Sequence, residues 1–507
     1  MPDTDVTRHL EDRTLILLSN REPYEHVVGP AGVEVKQPAG GLVSALDPTM
    51  QRTHGIWVAW GSGSADRDAA DEHGRVQVPP ANPTYALRRV WLDEDDVEGY
   101  YLGFANSALW PLCHMLIQHF RFRTEYWTRY ESVNARFADA VAGEVADATA
   151  GGRRPMVWIQ DYHFALVAEL LRTSMPHAFI HQFWHIPFPP ADILHLLPTD
   201  VYAAVLRGLL GNDLLEFHTE RYAQNFLSCV ADSLPHAVVD AERMQVTVDE
   251  HVTTVGVFPI SIDVEQYEGL ALTPAAEARA TELRTRYATG ARRLGVSVDR
   301  IDYTKGIPER LRALDLLWGE SPELRGRFTF IFVATPSRSD LAPYEALEKE
   351  VCATVAAINE RYGADDWVPI VLINENVDAE LLASIYRAAD LCLVSSLQDG
   401  MNLVAKEFVA CQVEERGVLV LSRFTGAAEE IEGAVLVNPF NVDGFAAGIR
   451  HALEMPLDER RRRMRQMREQ LRRSTIFDWL EAILSRASSL MDARPDAHSD
   501  AHAQEAR

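Results

Sequence analysis

Short, continuous apolar runs recur along this chain, and each is separated from the next by a stretch of helical period. TLILLSN, GIWVAW, PMVWIQDYH and AFIHQFWHIPF stand in the first half. RRLGVSVDRID, FTFIFVATP, VPIVLINE, DLCLVSS, GVLVLSRF and AVLVNPF stand in the second. A strand that is apolar on both faces needs cover on both, which is the condition of a parallel sheet with helices above and below. Amphipathic segments at 165–175, 308–318, 345–361 and 378–389 supply that cover. In one of them Leu311, Leu314 and Trp318 recur on a single helical face. The alternation predicts an α/β protein with doubly wound sheets.

A chain of 507 residues is too long for one core. The alternation breaks around 232–262, where TTVGVFPISIDVEQYEG reads as the end of one sheet and the crossing to another, so the boundary is set near Pro259. The expectation is a Rossmann-like domain over 1–258 and a second over 259–475, facing each other across a cleft with ligand sites at the carboxyl ends of their strands. A helix over 476–492 is expected to return to the first domain. The stretch 493–507, low in apolar residues, is expected to be disordered.

The net charge of −25 argues against a nucleic-acid partner, whose binding rests on clustered Lys and Arg. The basic run ERRRRMRQMREQLRR (459–473) reads as a solvated helix face with Met464, Met467 and Leu471 buried beneath it. No apolar run approaches membrane-spanning length, and the first residues are too charged for a signal peptide. The five cysteines are scattered and show no metal spacing, as in reduced thiols of a cytoplasmic protein.

Polar residues that a strand tip does not need gather at the strand ends. SNR (Ser19–Arg21) ends the first strand, and QPAGGL (37–42) carries a glycine pair that would let amides approach a phosphate. No GxGxxG follows a strand and no GxxxxGK(S/T) occurs, which argues against dinucleotide and P-loop sites. QDYH (160–163) offers Asp161 and His163 as an acid/base or hydroxyl-binding pair, or Asp161 as the cap of a helix over 164–175. His177, His181 and His185 stand four apart and invite a metal. On a strand, however, only His181 and His185 share a face, and no metal is expected. DRIDYTKGIPERL places Arg300 at a strand end and Lys305 before a helix that tolerates Pro308 in its first turn. A helix start beside a Lys suits a diphosphate, with Asp299 and Asp302 expected to hold the basic side chains. TPSRSD adds Arg338 as an anion ligand. In LQDGMNLVAKEF, Asp399 and Gly400 form a turn, Asn402 caps a helix, and the amides of Leu403, Val404 and Ala405 point outward. Glu407 follows one turn in.

Taken together, SNR, AGGL, WVAWG, YYLGFANSALWP, QDYH, HIPFP, DRIDYTKGIPERL, TPSRSD and DGMNLVAKE resemble, in order, the trehalose-6-phosphate synthase family of retaining GT-B glycosyltransferases. The resemblance implies an enzyme, with no cofactor, that moves glucose from a nucleoside-diphosphate glucose, UDP-glucose foremost, to glucose 6-phosphate. Arg21, Tyr101, Trp110, Asp161 and Arg338 match acceptor positions, with Arg21 and Arg338 on the phosphate. Gly40 and Gly41 match the glycine loop at the donor phosphates, and Arg300 and Lys305 the pair that neutralises the diphosphate. Asp399, Gly400, Met401 and Asn402 match the loop around the donor glucose. Leu403 and Val404 match diphosphate amides, Glu407 the ribose ligand, and His185 the residue near the glucose C6 hydroxyl. The resemblance also implies retention by front-face attack, with the departing phosphate itself taking the acceptor proton, so no protein nucleophile is expected.

Some positions depart from the better-known bacterial pattern: Glu22-Pro23-Tyr24 after Arg21, Glu216, His218, Ser261 and Gln398. REPY also occurs in glucosylglycerol-phosphate synthases, which join ADP-glucose to glycerol 3-phosphate, and this is the alternative reading. A silent regulatory subunit on the same scaffold is the second, though it should have lost the diphosphate residues present here. No second catalytic module is read, so the product should remain phosphorylated. Donor base and homo-oligomerisation are left open.

Overall fold

The apolar runs become the inner strands of two separate sheets. The computed structural model describes residues 6–30, 32–37, 41–336 and 341–494. The chain divides into two units, one running to Pro259 and resuming at Phe477, the other spanning Ile260–Ile476.

The first unit contains β1 (Arg13–Arg21), β2 (Glu25–Gly29), β3 (Gly32–Lys36), β4 (Ile56–Trp60), β5 (Arg75–Val78) and β6 (Tyr85–Val90). It continues with β7 (Arg154–Gln160), β8 (Phe179–Phe183), β9 (Leu214–Phe217), β10 (Val238–Asp240), β11 (Gln245–Val248) and β12 (His251–Val257). Ten of these form one sheet in the order β10-β11-β12-β9-β8-β7-β1-β4-β6-β5. From β12 to β6 the neighbours are parallel, with Leu17 of β1 level with Trp57 on one side and Trp158 on the other. Antiparallel strands close both edges, and β2–β3 is a separate hairpin. The chain winds from β1 toward β4 and β6, then returns to build β7, β8 and β9 on the other side. Its direction therefore reverses between β1 and β7, and the loops after these strands diverge there to leave a crevice.

The second unit carries β13 (Arg293–Arg300), β14 (Phe328–Thr335), β15 (Ile370–Ile373), β16 (Leu391–Val394), β17 (Val418–Ser422) and β18 (Val435–Val437). They form an all-parallel sheet in the order β15-β14-β13-β16-β17-β18, so the reversal lies between β13 and β16. The helix Ile307–Glu320 covers it with Leu311, Leu314 and Trp318, all buried.

Differences from the sequence reading have local causes. AFIHQFWHIPF is a strand only to Phe183, because the prolines after His185 have no N–H to donate to a ladder. The basic helix Leu457–Arg473 buries Met464, Met467 and Leu471 as read, but also Arg460 and Arg468. Arg460 donates to the carbonyls of Met455 and Leu453, and Arg468 to Glu268 at 2.9 Å. The helix Ile476–Asp492 belongs from Phe477 onward to the first unit. Trp479 lies 5.7 Å from the Trp158 ring and 5.3 Å from Phe183. Leu480, Ile483 and Leu484 are buried along the same face.

Candidate functional site

In the first unit the reversal point is lined by the ends of β1, β7 and β8. β1 shifts register between Ser19 and Arg21. Ser19 Oγ takes the Trp57 indole N–H at 2.8 Å and donates to the Arg21 carbonyl at 2.6 Å, which fixes that irregular end. Asn20 accepts the Tyr100 hydroxyl at 2.8 Å, tying the strand end to the YYLGF segment. Arg21 is exposed, and among the described residues its guanidinium has no partner. Gly40 and Arg338 lie outside the described residues, and Gly41 opens the helix Gly41–Thr53.

YYLGFANSALWP forms a π-helix over Val97–Leu109, continued by the short helix Trp110–Cys113. Asn106 Nδ2 and Ser107 Oγ donate to the carbonyls five residues back, on Tyr101 and Leu102, both at 2.7 Å. Wide turns of this kind are rare and cluster at functional sites. Tyr101 stacks on His163 with centroids 5.9 Å apart, and Trp110 packs against His114 and Tyr162.

Asp161 has φ 71° and ψ 178°, a backbone region that L-residues rarely occupy. It makes no side-chain cap to the following turn, contrary to the capping alternative. Its Oδ1 instead accepts the backbone N–H of His185 at 3.1 Å, while His163 stacks on Tyr101. The His185 ring lies over Phe183, and its Nε2 is 2.9 Å from Gln160 Oε1. With Nε2–H donating to that carbonyl oxygen, Nδ1 is the lone-pair nitrogen. Burial, and then His218 nearby, hold the His185 pKa well below the usual imidazole range, so the ring is neutral. His181 is 2.7 Å from Glu216 inside the core, and among the described residues no cluster suited to a metal occurs.

In the second unit Arg300 is the last residue of β13, exposed and without a partner among the described residues. A 3-10 turn, Tyr303–Lys305, then leads into the helix Ile307–Glu320 through Gly306 at φ 61°. A Cβ there would stand 2.1 Å from the Ser395 carbonyl oxygen, so only glycine lets the two strand ends meet this closely. Lys305 Nζ is 2.7 Å from Asp399 Oδ2, joining the ends of β13 and β16 across the reversal point. The expectation that Asp299 and Asp302 hold Arg300 and Lys305 is corrected. Asp302 accepts the amide and hydroxyl of Thr304, both at 3.0 Å. Asp299 is bound at 2.6 Å by Arg310, a fully buried arginine that also donates to Ser297 and Ser395. Arg310 went unread because it shares the buried face of Leu311 and Leu314; its one signal is a charge on that apolar stripe.

Asp399 also accepts from Ser396 Oγ at 3.0 Å and Asn402 Nδ2 at 3.1 Å. Asn402, at φ 87°, caps the helix Leu403–Cys411 by accepting the Ala405 amide. That amide is therefore taken, leaving those of Leu403 and Val404 as the first-turn donors. Met401 is buried beneath the turn. Lys406 is buried and bound to the Ile260 carbonyl and Glu430, each at 2.7 Å. Glu407 accepts the Tyr386 hydroxyl at 3.0 Å. Burial pushes the Glu407 pKa up, while hydrogen bonds from Tyr267 and Tyr386 oppose the rise.

The sequence profile of glycosyltransferase family 20 matches residues 13–489. The chain belongs to this family. The trehalose-6-phosphate synthase of Mycobacterium marinum is 38% identical over 498 residues, covering 97% of this chain and 96% of that protein. A bifunctional trehalose-6-phosphate synthase/phosphatase of Thermoproteus tenax is 37% identical over 474 residues, and the match covers 92% of this chain but only 62% of that protein. Among solved structures, an α,α-trehalose-phosphate synthase (UDP-forming) from Burkholderia xenovorans in complex with glucose-6-phosphate superposes with a TM-score of 0.81. It is 30% identical, and the match covers 94% of this chain and 99% of that one. The family 20 fold is thus GT-B, with two doubly wound α/β units.

Two strings here spell D-x-D-x-T/V, the pattern of a phosphatase nucleophile: Asp3–Thr7 and Asp93–Val97. The first lies largely outside the described residues. The second is a helix start in which Asp93 and Asp96 cap each other's amides, while the second Asp of the pattern, Asp95, is exposed and pairs with Arg129 at 3.2 Å.

Proposed function

We propose that this family 20 chain is a trehalose-6-phosphate synthase, transferring glucose with retention from a nucleoside-diphosphate glucose to glucose 6-phosphate. The observation that carries the reading is the exposed Arg300 beside the Lys305–Asp399 pair at the reversal point of the second sheet, in a chain of this family. A departing nucleoside diphosphate develops negative charge, and two cations with two free helix amides stabilise it in place. Lys305 exchanges one oxygen of Asp399 for one of phosphate, and Asp399 then keeps Ser396 and Asn402 as donors. Leu403 and Val404 supply amides, and Glu407, fixed by its tyrosines, accepts from the ribose. Asp399, Gly400, Met401 and Asn402 surround the donor glucose, and the neutral His185 offers Nδ1 to its C6 hydroxyl. Gly40 and Gly41 approach the donor phosphates.

On the acceptor, Arg21 and Arg338 bind the phosphate, while Tyr101, Trp110 and Asp161 orient the sugar. Fixing both substrates replaces a bimolecular encounter with an oriented one. The leaving phosphate takes the acceptor proton, so the protein needs no nucleophile. The second unit serves the nucleotide sugar and the first the acceptor; the enzyme is assigned to the cytoplasm.

The glucosylglycerol-phosphate alternative rests on Glu22-Pro23-Tyr24, and all three side chains are buried. Glu22 is bound to Arg89 and Tyr24 to Asp47, so neither is offered to an acceptor. This favours glucose 6-phosphate. The test is product identification with purified protein, offering UDP-, GDP- and ADP-glucose against glucose 6-phosphate and glycerol 3-phosphate, with and without added divalent metal. Trehalose 6-phosphate is expected, formed without metal and without release of inorganic phosphate. Glucosylglycerol phosphate as the product would overturn the acceptor assignment.

A further inference from the structure

Behind Arg21 the chain buries four ionisable side chains drawn from four places. Glu22 follows β1, His26 lies in β2, Asp66 opens a short helix, and Arg89 belongs to β6. Arg89 Nε donates to Glu22 Oε2 at 2.7 Å, and its Nη2 reaches Asp66 Oδ1 at 2.8 Å; all three side chains are 0% exposed. Nη2 is also 2.8 Å from His26 Nδ1. Glu22 takes the Ser62 amide at 2.9 Å, and Asp66 takes those of His26 and Gly63. One cluster thus clamps the turn after β1, the start of the hairpin, the 62–66 loop and a neighbouring strand.

Its charges do not balance if both carboxyls are ionised. His26 is kept neutral, since burial and then the charge of Arg89 lower its pKa. One guanidinium then faces two carboxylates, and a single retained proton restores neutrality. Burial, and next the hydrogen bond to Asp66, push the Glu22 carboxyl up to about 8. Burial acts on Asp66 in the same direction, but hydrogen bonds from Glu22 and the His26 amide outweigh it and hold Asp66 ionised. Around neutral pH the proton resides on Glu22. Successive side chains leave an extended backbone on opposite sides, so Glu22 points inward where Arg21 points out.

We propose that Glu22 is a positioning residue for Arg21: protonated, it completes the Arg89–Asp66–His26 cluster that fixes the end of β1, and its ionisation weakens capture of the acceptor phosphate. This rests on the reading of Arg21 as an acceptor-phosphate ligand. Loss of the proton leaves a net negative charge buried beside a site meant for a dianion. That charge both repels the phosphate and loosens the clamp behind Arg21.

The experiment is steady-state kinetics on the full chain from pH 7 to 9, with KM for glucose 6-phosphate and for the nucleotide sugar measured separately. A phosphate monoester has its second pKa near 6 and is about nine-tenths dianion by pH 7, so it adds little across this range. In the wild type the acceptor KM is expected to rise about tenfold between pH 7 and 9 if only the protonated form binds, with the donor KM flat. In Glu22→Gln, whose side chain stays neutral, the acceptor KM is expected to lose that slope. A flat wild-type acceptor KM overturns the proposal, and so does a Glu22→Gln slope equal to that of the wild type. The wild-type titration alone decides if the variant does not fold. Absence of any product from glucose 6-phosphate at every pH would instead sink the acceptor reading beneath it.

Discussion

Asp161 and Asn402 are held at positive φ, a cost of order 1–3 kcal/mol each that surrounding contacts must offset. Both stand at strand ends beside a reversal point, where the strained backbone aims a polar group outward. Near Asn402 the two cations carry the largest expected effect. Arg300→Ala should lower kcat/KM by about 10²–10³, the loss typical of one charge-stabilising group, while the thermal midpoint stays near that of the wild type. Near-normal kcat/KM would remove Arg300 from the diphosphate. His185 has a different signature. Its folded pKa is depressed below the ordinary value of about 6.5, so the unfolded chain binds the proton more readily. Stability should therefore be full above that value and fall as pH drops below it. Urea midpoints at several pH values check this, and His185→Gln should flatten that part of the curve. Arg300 and Lys305 were legible in the sequence because a strand tip has no structural need of them. Arg310 and the partner of Lys305 were not, since the choice between Asp299, Asp302 and Asp399 depends on which strands lie side by side.

At the level of the element, Gly306 joins a turn to the helix that follows β13. Gly306→Ala meets both a positive φ and the Ser395 carbonyl, and should cost about 1–3 kcal/mol, read as a lower urea midpoint. UDP affinity measured by calorimetry should fall with it, because Lys305 is carried by the same turn. Unchanged stability would mean that β13 and β16 are free to separate here. Helix and strand types were readable wherever one period ran unbroken, as in FTFIFVAT or the stripe at 311–318. The π-helix was not. Its wider turn is maintained by Asn106 and Ser107 reaching carbonyls five residues back, and no apolar pattern encodes that. Likewise the antiparallel edge strands are short and half-exposed, and give little periodic signal.

Across the whole molecule, strand order is what creates the site, and strand order is a matter of long-range pairing. The runs TLILLSN and PMVWIQ could be identified from the residues, but their adjacency as β1 and β7 could not. The returning helix shows the same dependence. Ending the chain at residue 476 would strip Trp479, Leu480, Ile483 and Leu484 from the first unit and uncover Trp158. Each large buried side chain is worth about 2–5 kcal/mol, so the loss is as large as the total stability of a typical domain. Such a truncate should show no cooperative unfolding of the first unit, while the second, complete within Ile260–Ile476, keeps its own transition. Calorimetry on the truncate checks both statements, and two intact transitions would contradict them.

That divided first unit also sets an order of events at the ribosome. The second unit is contiguous and can close its core once its last residue clears the exit tunnel. The first, although more than half synthesised earlier, must wait with Trp158 and Phe183 uncovered until Trp479 emerges. The half made first is therefore the half finished last, and nascent-chain chaperones have their longest window on the first unit.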